Sequence, residues 1–127
     1  MPLLAQMPAQ LALAVRSSLE RGESVLFATL LGSRRALVLT SKRVLVTHRG
    51  WRGAHVKAIP YAQVDYVLDR RHSLELFANR AATRQVLPVP AEHFDRVREL
   101  LRAHVDRGTE PTSWIYRMVD AFRDSRH

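Results

Sequence analysis

The chain of 127 residues contains no cysteine. A disulfide framework, a thiolate metal site and a cysteine nucleophile are therefore all excluded. Long apolar runs are also missing, since none approaches the roughly 18 to 20 residues that a transmembrane helix needs. The apolar N-terminal stretch is interrupted by Gln6, Pro8 and Gln10 and lacks the basic start of a secretory signal. We therefore expect a soluble cytoplasmic protein.

Motifs for catalysis are absent as well. No serine lies in a Gly-x-Ser-x-Gly setting, and the sequence contains neither a HExxH zinc motif nor a phosphate-binding Walker loop. The histidines show no paired metal-ligand spacing; they are His48, His55, His72, His93, His104 and His127. We expect a protein that is not an enzyme, with no cofactor, no metal and no small-molecule substrate.

Apolar residues near the N-terminus recur at helical spacing. The stripe begins at Leu4, and Gly22 supplies a stop signal after it. Pro8 suits the first turn of a helix, because its missing N–H has no partner there. We predict an amphipathic helix within residues 1–22, with a stripe formed by Leu4, Met7, Leu11, Ala14 or Val15, and Leu19.

From Ser24 the apolar pattern changes to one typical of strands. Two runs, Leu37–Leu39 and Val44–Val46, flank the polar link Thr40–Arg43 and predict a β-hairpin. In this turn the hydroxyl groups are expected to bind backbone, and Lys42 and Arg43 to be solvated or, alternatively, to touch an anionic partner. The seven predicted strands span residues 25–31, 37–39, 44–46, 54–59, 64–69, 73–77 and 85–89, and His48 to Gly53 forms a loop.

Helical spacing returns after residue 90. The pattern predicts a closing helix over residues 91–106, with an apolar stripe formed by Phe94, Val97, Leu100, Leu101 and Val105. A second amphipathic stretch covers residues 112–124. Its face is too apolar to remain in water, so we expect a helix docked on the same chain or on a second copy. That face comprises Trp114, Ile115, Met118, Val119 and Phe122.

Three short motifs, together with the closing helix, resemble the bacterial pleckstrin-homology-like (PH-like) domain families over about residues 17–106. The motifs are Leu19-x-x-Gly22-Glu23-x-Val25-Leu26, Leu39-Thr40-x-x-Arg43-Val44-Leu45-Val46 and Ile59-Pro60-Tyr61-x-x-Val64-x-x-Val67. The resemblance implies a mainly β fold: an antiparallel barrel of about seven strands in two sheets, capped by a C-terminal helix. We expect this domain at residues 23–108. An N-terminal amphipathic helix in residues 1–22 should precede it, and a linker with an extra C-terminal amphipathic helix in residues 109–127 should follow it.

Positive charge is concentrated in the first part of the chain. Residues 1–90 hold 13 Lys or Arg and 5 Asp or Glu, a surplus of 13 − 5 = 8, whereas residues 91–127 hold 7 of each. Between Arg34 and Lys57 there are seven basic residues and no acidic one. In an antiparallel meander the loops after the first and third strands emerge at the same end. The sequence therefore predicts a basic rim formed by Arg34, Arg35, Arg49, Trp51 and Arg52.

Two functional hypotheses follow. The first is a module for protein contact or self-association, using Leu4, Met7 and Leu11 or the face with Trp114, Ile115, Met118 and Phe122. The second is a peripheral binder of anionic lipid or phosphate surfaces through the basic rim. The resemblance implies the same place, because eukaryotic relatives bind phosphoinositide headgroups at that open end. Nucleic-acid binding is disfavoured, since the usual motifs are missing and aromatic residues make up only 7% of the chain.

Overall fold

A computed structural model describes the backbone of residues 7–108 and the side chains as far as Val105. The chain divides into two compact units, with the boundary in the sequence between Pro60 and Tyr61. The first unit contains helix α1 (Ala9–Ser18) and strands β1 (Val25–Leu30), β2 (Arg35–Thr40), β3 (Arg43–Gly50) and β4 (Gly53–Pro60). The second contains a 3-10 turn (Tyr61–Gln63), strands β5 (Val64–Asp69), β6 (Leu74–Ala78) and β7 (Thr83–Leu87), and helix α2 (Ala91–Gly108).

The seven described strands pair antiparallel with their neighbours in the chain, except that β4 and β5 do not pair with each other. They form a four-stranded sheet in the order β1-β2-β3-β4 and a three-stranded sheet in the order β5-β6-β7. The predicted hairpin is β2–β3, in which Val38 lies opposite Leu45. The expected number of strands and their division into two sheets are therefore confirmed. The strands form two separate ladders, and hydrogen bonds do not close them into one continuous barrel.

Helix α1 packs on one face of the four-stranded sheet. Leu11 and Val15 are fully buried and form one cluster with Val38 and Leu45. The helix is shorter than predicted: it ends at Ser18 because Leu19 is already extended, and Gly22 lies in the following turn with φ +82°. Leu4 lies outside the described residues.

This packing corrects one part of the self-association hypothesis. Met7 is 7% exposed and Leu11 is completely buried, and both belong to the core of their own unit. The apolar face of α1 is used within the chain because it covers the sheet. Met7 and Leu11 are therefore not available for contact with a partner.

The segment His48–Gly53, predicted as a loop, is mostly strand. Pairing between β3 and β4 continues as far as Gly50 opposite Gly53, so that only Trp51 and Arg52 remain as the turn. Neither Trp51 nor Arg52 has a positive φ, but Gly53, directly after them, has φ +121°, which glycine adopts without steric cost. Gly53 thus allows the two strands to pair up to a tight turn.

Helix α2 agrees with the predicted closing helix and extends it by two residues to Gly108. Val97, Leu101 and Val105, each four residues after the last, are buried. Phe94 and Leu100 are only half-buried. The predicted stripe is therefore correct in its centre and broader than the buried face.

Candidate anion-binding surface

The β1–β2 loop and the β3–β4 turn lie side by side at one end of the four-stranded sheet. The backbone N–H of Arg49 donates a hydrogen bond of 2.8 Å to the carbonyl oxygen of Arg34. Antiparallel pairing of consecutive strands brings every second connection to the same end. The predicted juxtaposition of the first and third loops is therefore present in the structure.

A shallow pocket opens between these two connections. It has a volume of about 230 Å³ and is lined by Arg34, Arg49, Gly50 and Trp51. Trp51 is 89% exposed, which is unusual for so large an apolar side chain. The guanidinium carbon of Arg52 lies 4.8 Å from the centre of the Trp51 ring, within cation–π range. The hairpin tip thus combines an exposed indole with guanidinium groups around a small concavity.

The structure separates one predicted rim residue from the others. Arg34, Arg49 and Trp51 line the pocket and Arg52 covers the indole, whereas Arg35 lies opposite His48 in the strand pairing. Arg34 is the last residue of the connection before β2, whereas Arg35 is the first residue of that strand. The prediction grouped the two residues because both were placed in one loop.

Carboxylates of the first unit lie at the other end of the sheet. Residues 24–60 contain no Asp or Glu. Glu20 lies 3.7 Å from the Lys42 amine and Glu23 pairs with Arg43, both beside the β2–β3 turn. Within residues 7–60, no carboxylate therefore pairs with Arg34, Arg49 or Arg52.

Glu23 and Arg43 form a buried, bidentate ion pair. The Arg43 Nε and Nη2 atoms each lie 2.9 Å from a different oxygen of Glu23. Thr40 donates its hydroxyl hydrogen to the same carboxylate, and Arg43 also donates to the carbonyl oxygen of Ser18 at the end of α1. The Glu23 side chain is 0% exposed and that of Arg43 is 14% exposed.

This cluster corrects the interpretation of the turn. Arg43 was expected to be solvated or to touch an anionic partner, and that expectation is wrong because Glu23 binds it inside the fold. The expectation for the hydroxyl groups is confirmed. Thr40 Oγ1 accepts hydrogen bonds from the backbone N–H groups of Lys42 and Arg43, and Ser41 Oγ accepts one from the N–H of Ser24.

The bidentate hydrogen bonds from Arg43 lower the pKa of Glu23 from 4.5 to about 2. A depressed carboxyl pKa stabilises the fold fully above the unfolded value, and this contribution disappears as the pH falls through the folded value. We expect the difference in unfolding free energy between the wild type and Glu23→Gln to be largest near neutral pH and to shrink between pH 4.5 and about 2. Urea titrations over this range measure it. A difference that does not change with pH would contradict this assignment.

The second unit holds its own charged cluster and a larger cavity. Glu75, on β6, is 7% exposed and accepts hydrogen bonds from Arg70 at 2.8 Å and Arg84 at 3.0 Å. The hydrogen bond from Arg84 is the main cause that lowers the Glu75 pKa. An open cavity of about 440 Å³ is lined by Arg71, His72, Val89, Ala91, Phe94 and Asp95.

The other site predictions fall outside these features. Trp114, Ile115, Met118 and Phe122 lie outside the described residues, and so does the predicted helix that carries them.

Among residues 7–108, no group of three or more His, Asp or Glu side chains is placed to hold a metal ion. Neither of the two helices described there combines the length and the apolar composition needed to span a bilayer.

Comparison with known proteins gives a likeness in structure. No protein-family model matches the sequence, and no curated protein matches it either. The fold is similar to the crystal structure of a pleckstrin homology domain from Shewanella amazonensis SB2B, with a TM-score of 0.55 and 18% sequence identity. The match covers 76% of this chain and 96% of that chain. The predicted mainly β, PH-like fold, with a four-stranded and a three-stranded sheet followed by a helix, is therefore confirmed.

Proposed function

We propose that this chain is a non-enzymatic, PH-like module that binds anionic lipid or phosphate surfaces through the basic rim of its first unit. The observation that carries the proposal is the pocket in which Arg34 and Arg49 meet the exposed Trp51, with no carboxylate of residues 7–60 paired to either arginine. The proposed location is cytoplasmic, in keeping with a chain that has no cysteine.

The chemistry of these side chains suits a phosphate-bearing surface. Arginine presents several N–H donors in a planar fork and forms two parallel hydrogen bonds with phosphate oxygens. Neighbouring arginines repel each other, and an anionic surface relieves that repulsion. A tryptophan ring is stable at the boundary between headgroups and acyl chains. Near an anionic membrane each arginine contributes about 1 kcal/mol, so the rim would support reversible attachment that weakens as salt rises.

Protein contact or self-association is the second candidate. After Met7 and Leu11 are assigned to the core, it depends on the apolar face of Trp114, Ile115, Met118 and Phe122. This face is continuous at helical spacing, and the sequence alone supports it. Measuring the solution mass of the full chain and of Trp114→Ser/Phe122→Ser tests this candidate, because only self-association through that face predicts a smaller mass for the variant.

Replacing Arg49 and Arg52 by serine is expected to weaken binding to anionic vesicles by about 30-fold, because each lost charge costs about 1 kcal/mol. The matched control is Arg16→Ser/Arg21→Ser, which removes the same net charge from two exposed arginines remote from the rim. This control is preferable to Arg98 and Arg102, since both of those pair with Asp69. Co-sedimentation at low and high salt measures the effect.

Two outcomes would refute the proposal: equal loss of binding in the two double variants, or no binding of the wild type at low salt. Trp51 provides an independent signal in a Trp114→Phe background, where it is the only tryptophan. Its fluorescence should shift to the blue on addition of anionic vesicles. Competition by inorganic phosphate distinguishes a phosphate site from attraction that requires a lipid surface.

A further inference from the structure

Two histidines lie directly opposite each other on the last strands of the hairpin. In the strand pairing, Arg35 of β2 lies opposite His48 of β3, and His48 lies opposite His55 of β4. Residues opposite each other in an antiparallel pair share one face of the sheet. Both histidines are exposed, and Arg35 is half-buried. The three side chains therefore form one row across the sheet, on the face opposite to that of Arg49 and helix α1.

The row is close to the tip of the hairpin. The pair His48–His55 is two residue steps from the closing pair Gly50–Gly53, which corresponds to about 7 Å along the strands. The Debye length at physiological salt is about 8 Å. A charge on either histidine would therefore act on the same anionic surface as the rim.

Other charged groups around the row within the first unit are basic. Arg35 is in the row, Lys57 lies two residues along β4 on the same face, and Arg52 lies in the turn. Helix α1 packs on the other face and carries one charged residue, Arg16. The two described carboxylates of this unit, Glu20 and Glu23, pair with Lys42 and Arg43 at the far end of the sheet. Among residues 7–60, no carboxylate is therefore in place to neutralise a protonated His48 or His55.

We infer that His48 and His55 form a proton-dependent extension of the basic rim, so that attachment to anionic lipid surfaces strengthens as the pH falls. This inference rests on the proposed function and adds a regulator to the same site. Histidine side chains change charge within the physiological pH range, whereas arginines remain charged throughout. Protonation of either imidazole would add a positive charge at the end of the sheet that carries the arginines.

The expected gain follows from the charge added near the surface. Each basic charge close to an anionic membrane strengthens binding by about fivefold, so the two histidines together give about five- to thirtyfold depending on how completely they are protonated. The gain should decrease with added salt, as it does for the arginines. An anionic surface favours protonation in turn, because binding and protonation are thermodynamically linked.

The test compares binding of the full chain to vesicles at about pH 8 and about pH 5.5, on either side of the range in which histidine changes charge. The vesicles contain roughly one quarter phosphatidylglycerol in phosphatidylcholine, enough to make the surface anionic. The phosphodiester of phosphatidylglycerol stays ionised over this pH range, so a change in affinity reports on the protein. The variants are His48→Gln/His55→Gln, the charge mimic His48→Arg/His55→Arg, and the control His72→Gln/His93→Gln in the second unit.

We expect the wild type and the control variant to bind five- to thirtyfold more tightly at the lower pH. The glutamine variant should bind equally at both values, and the arginine variant should bind tightly at both. Circular dichroism of each variant at both pH values verifies that the fold is intact. A gain that persists in the glutamine variant, or equal wild-type binding at both pH values, overturns the inference while the proposed function stands. No binding of the wild type at either pH overturns the proposed function and this inference with it.

Discussion

Replacing Leu101 by alanine is expected to destabilise the protein by about 2 to 5 kcal/mol, the usual range for removing a buried leucine side chain. Leu101 is completely buried in the middle of helix α2 and is flanked by buried Val97 and Val105, one turn away on either side. This loss of stability has two parts: the transfer free energy of the atoms that are removed, and the cost of the cavity that remains. Urea unfolding followed by circular dichroism measures it.

The neighbouring leucine provides the control. From the sequence, Leu100 and Leu101 were expected to have the same effect, but Leu100 is only half-buried. Leu100→Ala should therefore cost about 1 kcal/mol, because solvent already reaches part of its side chain. Equal losses in the two variants would mean that α2 is rotated relative to the described structure.

Replacing Arg43 by methionine is expected to cost about 3 to 5 kcal/mol, because it leaves the Glu23 carboxylate buried without its partner. The methionine retains most of the apolar stem, so the loss reports mainly on the guanidinium group. Glu23 has a side chain that is 0% exposed and would lose the two hydrogen bonds from Arg43. Unfolding free energies at neutral pH measure the change.

Lys42→Met is the matched control for this substitution. It removes the same charge from the adjacent position, but the Lys42 side chain is 48% exposed and its amine lies 3.7 Å from Glu20 at the surface. Exposed ion pairs contribute about 1 kcal/mol or less, so we expect a small effect. The double variant Glu23→Gln/Arg43→Met should be more stable than the sum of the two single losses predicts. Additive losses would show that the two side chains do not interact.

Periodic patterns account for the part of the fold that could be predicted. Strands β1 to β7 and helix α2 were predicted because alternation and helical spacing are local signals. Helical spacing could not show which of Leu100 and Leu101 is buried, since both lie on the apolar side of the helix. That choice depends on the surface against which the helix packs. The ends of β3 and β4 were missed because the glycines at 50 and 53 suggested a loop, whereas they allow a tight turn between paired strands.

The candidate surface shows the same limit. The proximity of Arg34 and Arg49 could be predicted from the sequence, because the order of an antiparallel meander fixes which loops are neighbours. The ion pair of Glu23 with Arg43 could not be predicted from the sequence, because it joins positions 20 residues apart and no periodic pattern marks it. Its residues did occur in the motifs that resemble the PH-like families. The motifs list Glu23 and Arg43 separately and contain nothing that says the two side chains meet.

The order of the strands also bears on how fast the chain folds. Within each sheet every described strand pairs with its neighbour in the chain, across connections of only two or four residues. Closing such short loops costs little chain entropy, and a β protein built from local pairings has a lower contact order than one with distant pairings. The buried ion pair of Glu23 with Arg43 joins positions 20 residues apart and requires a larger closure. We therefore expect the hairpins to govern the rate of folding and this pair mainly to slow unfolding, because contacts absent from the transition state act on the unfolding rate.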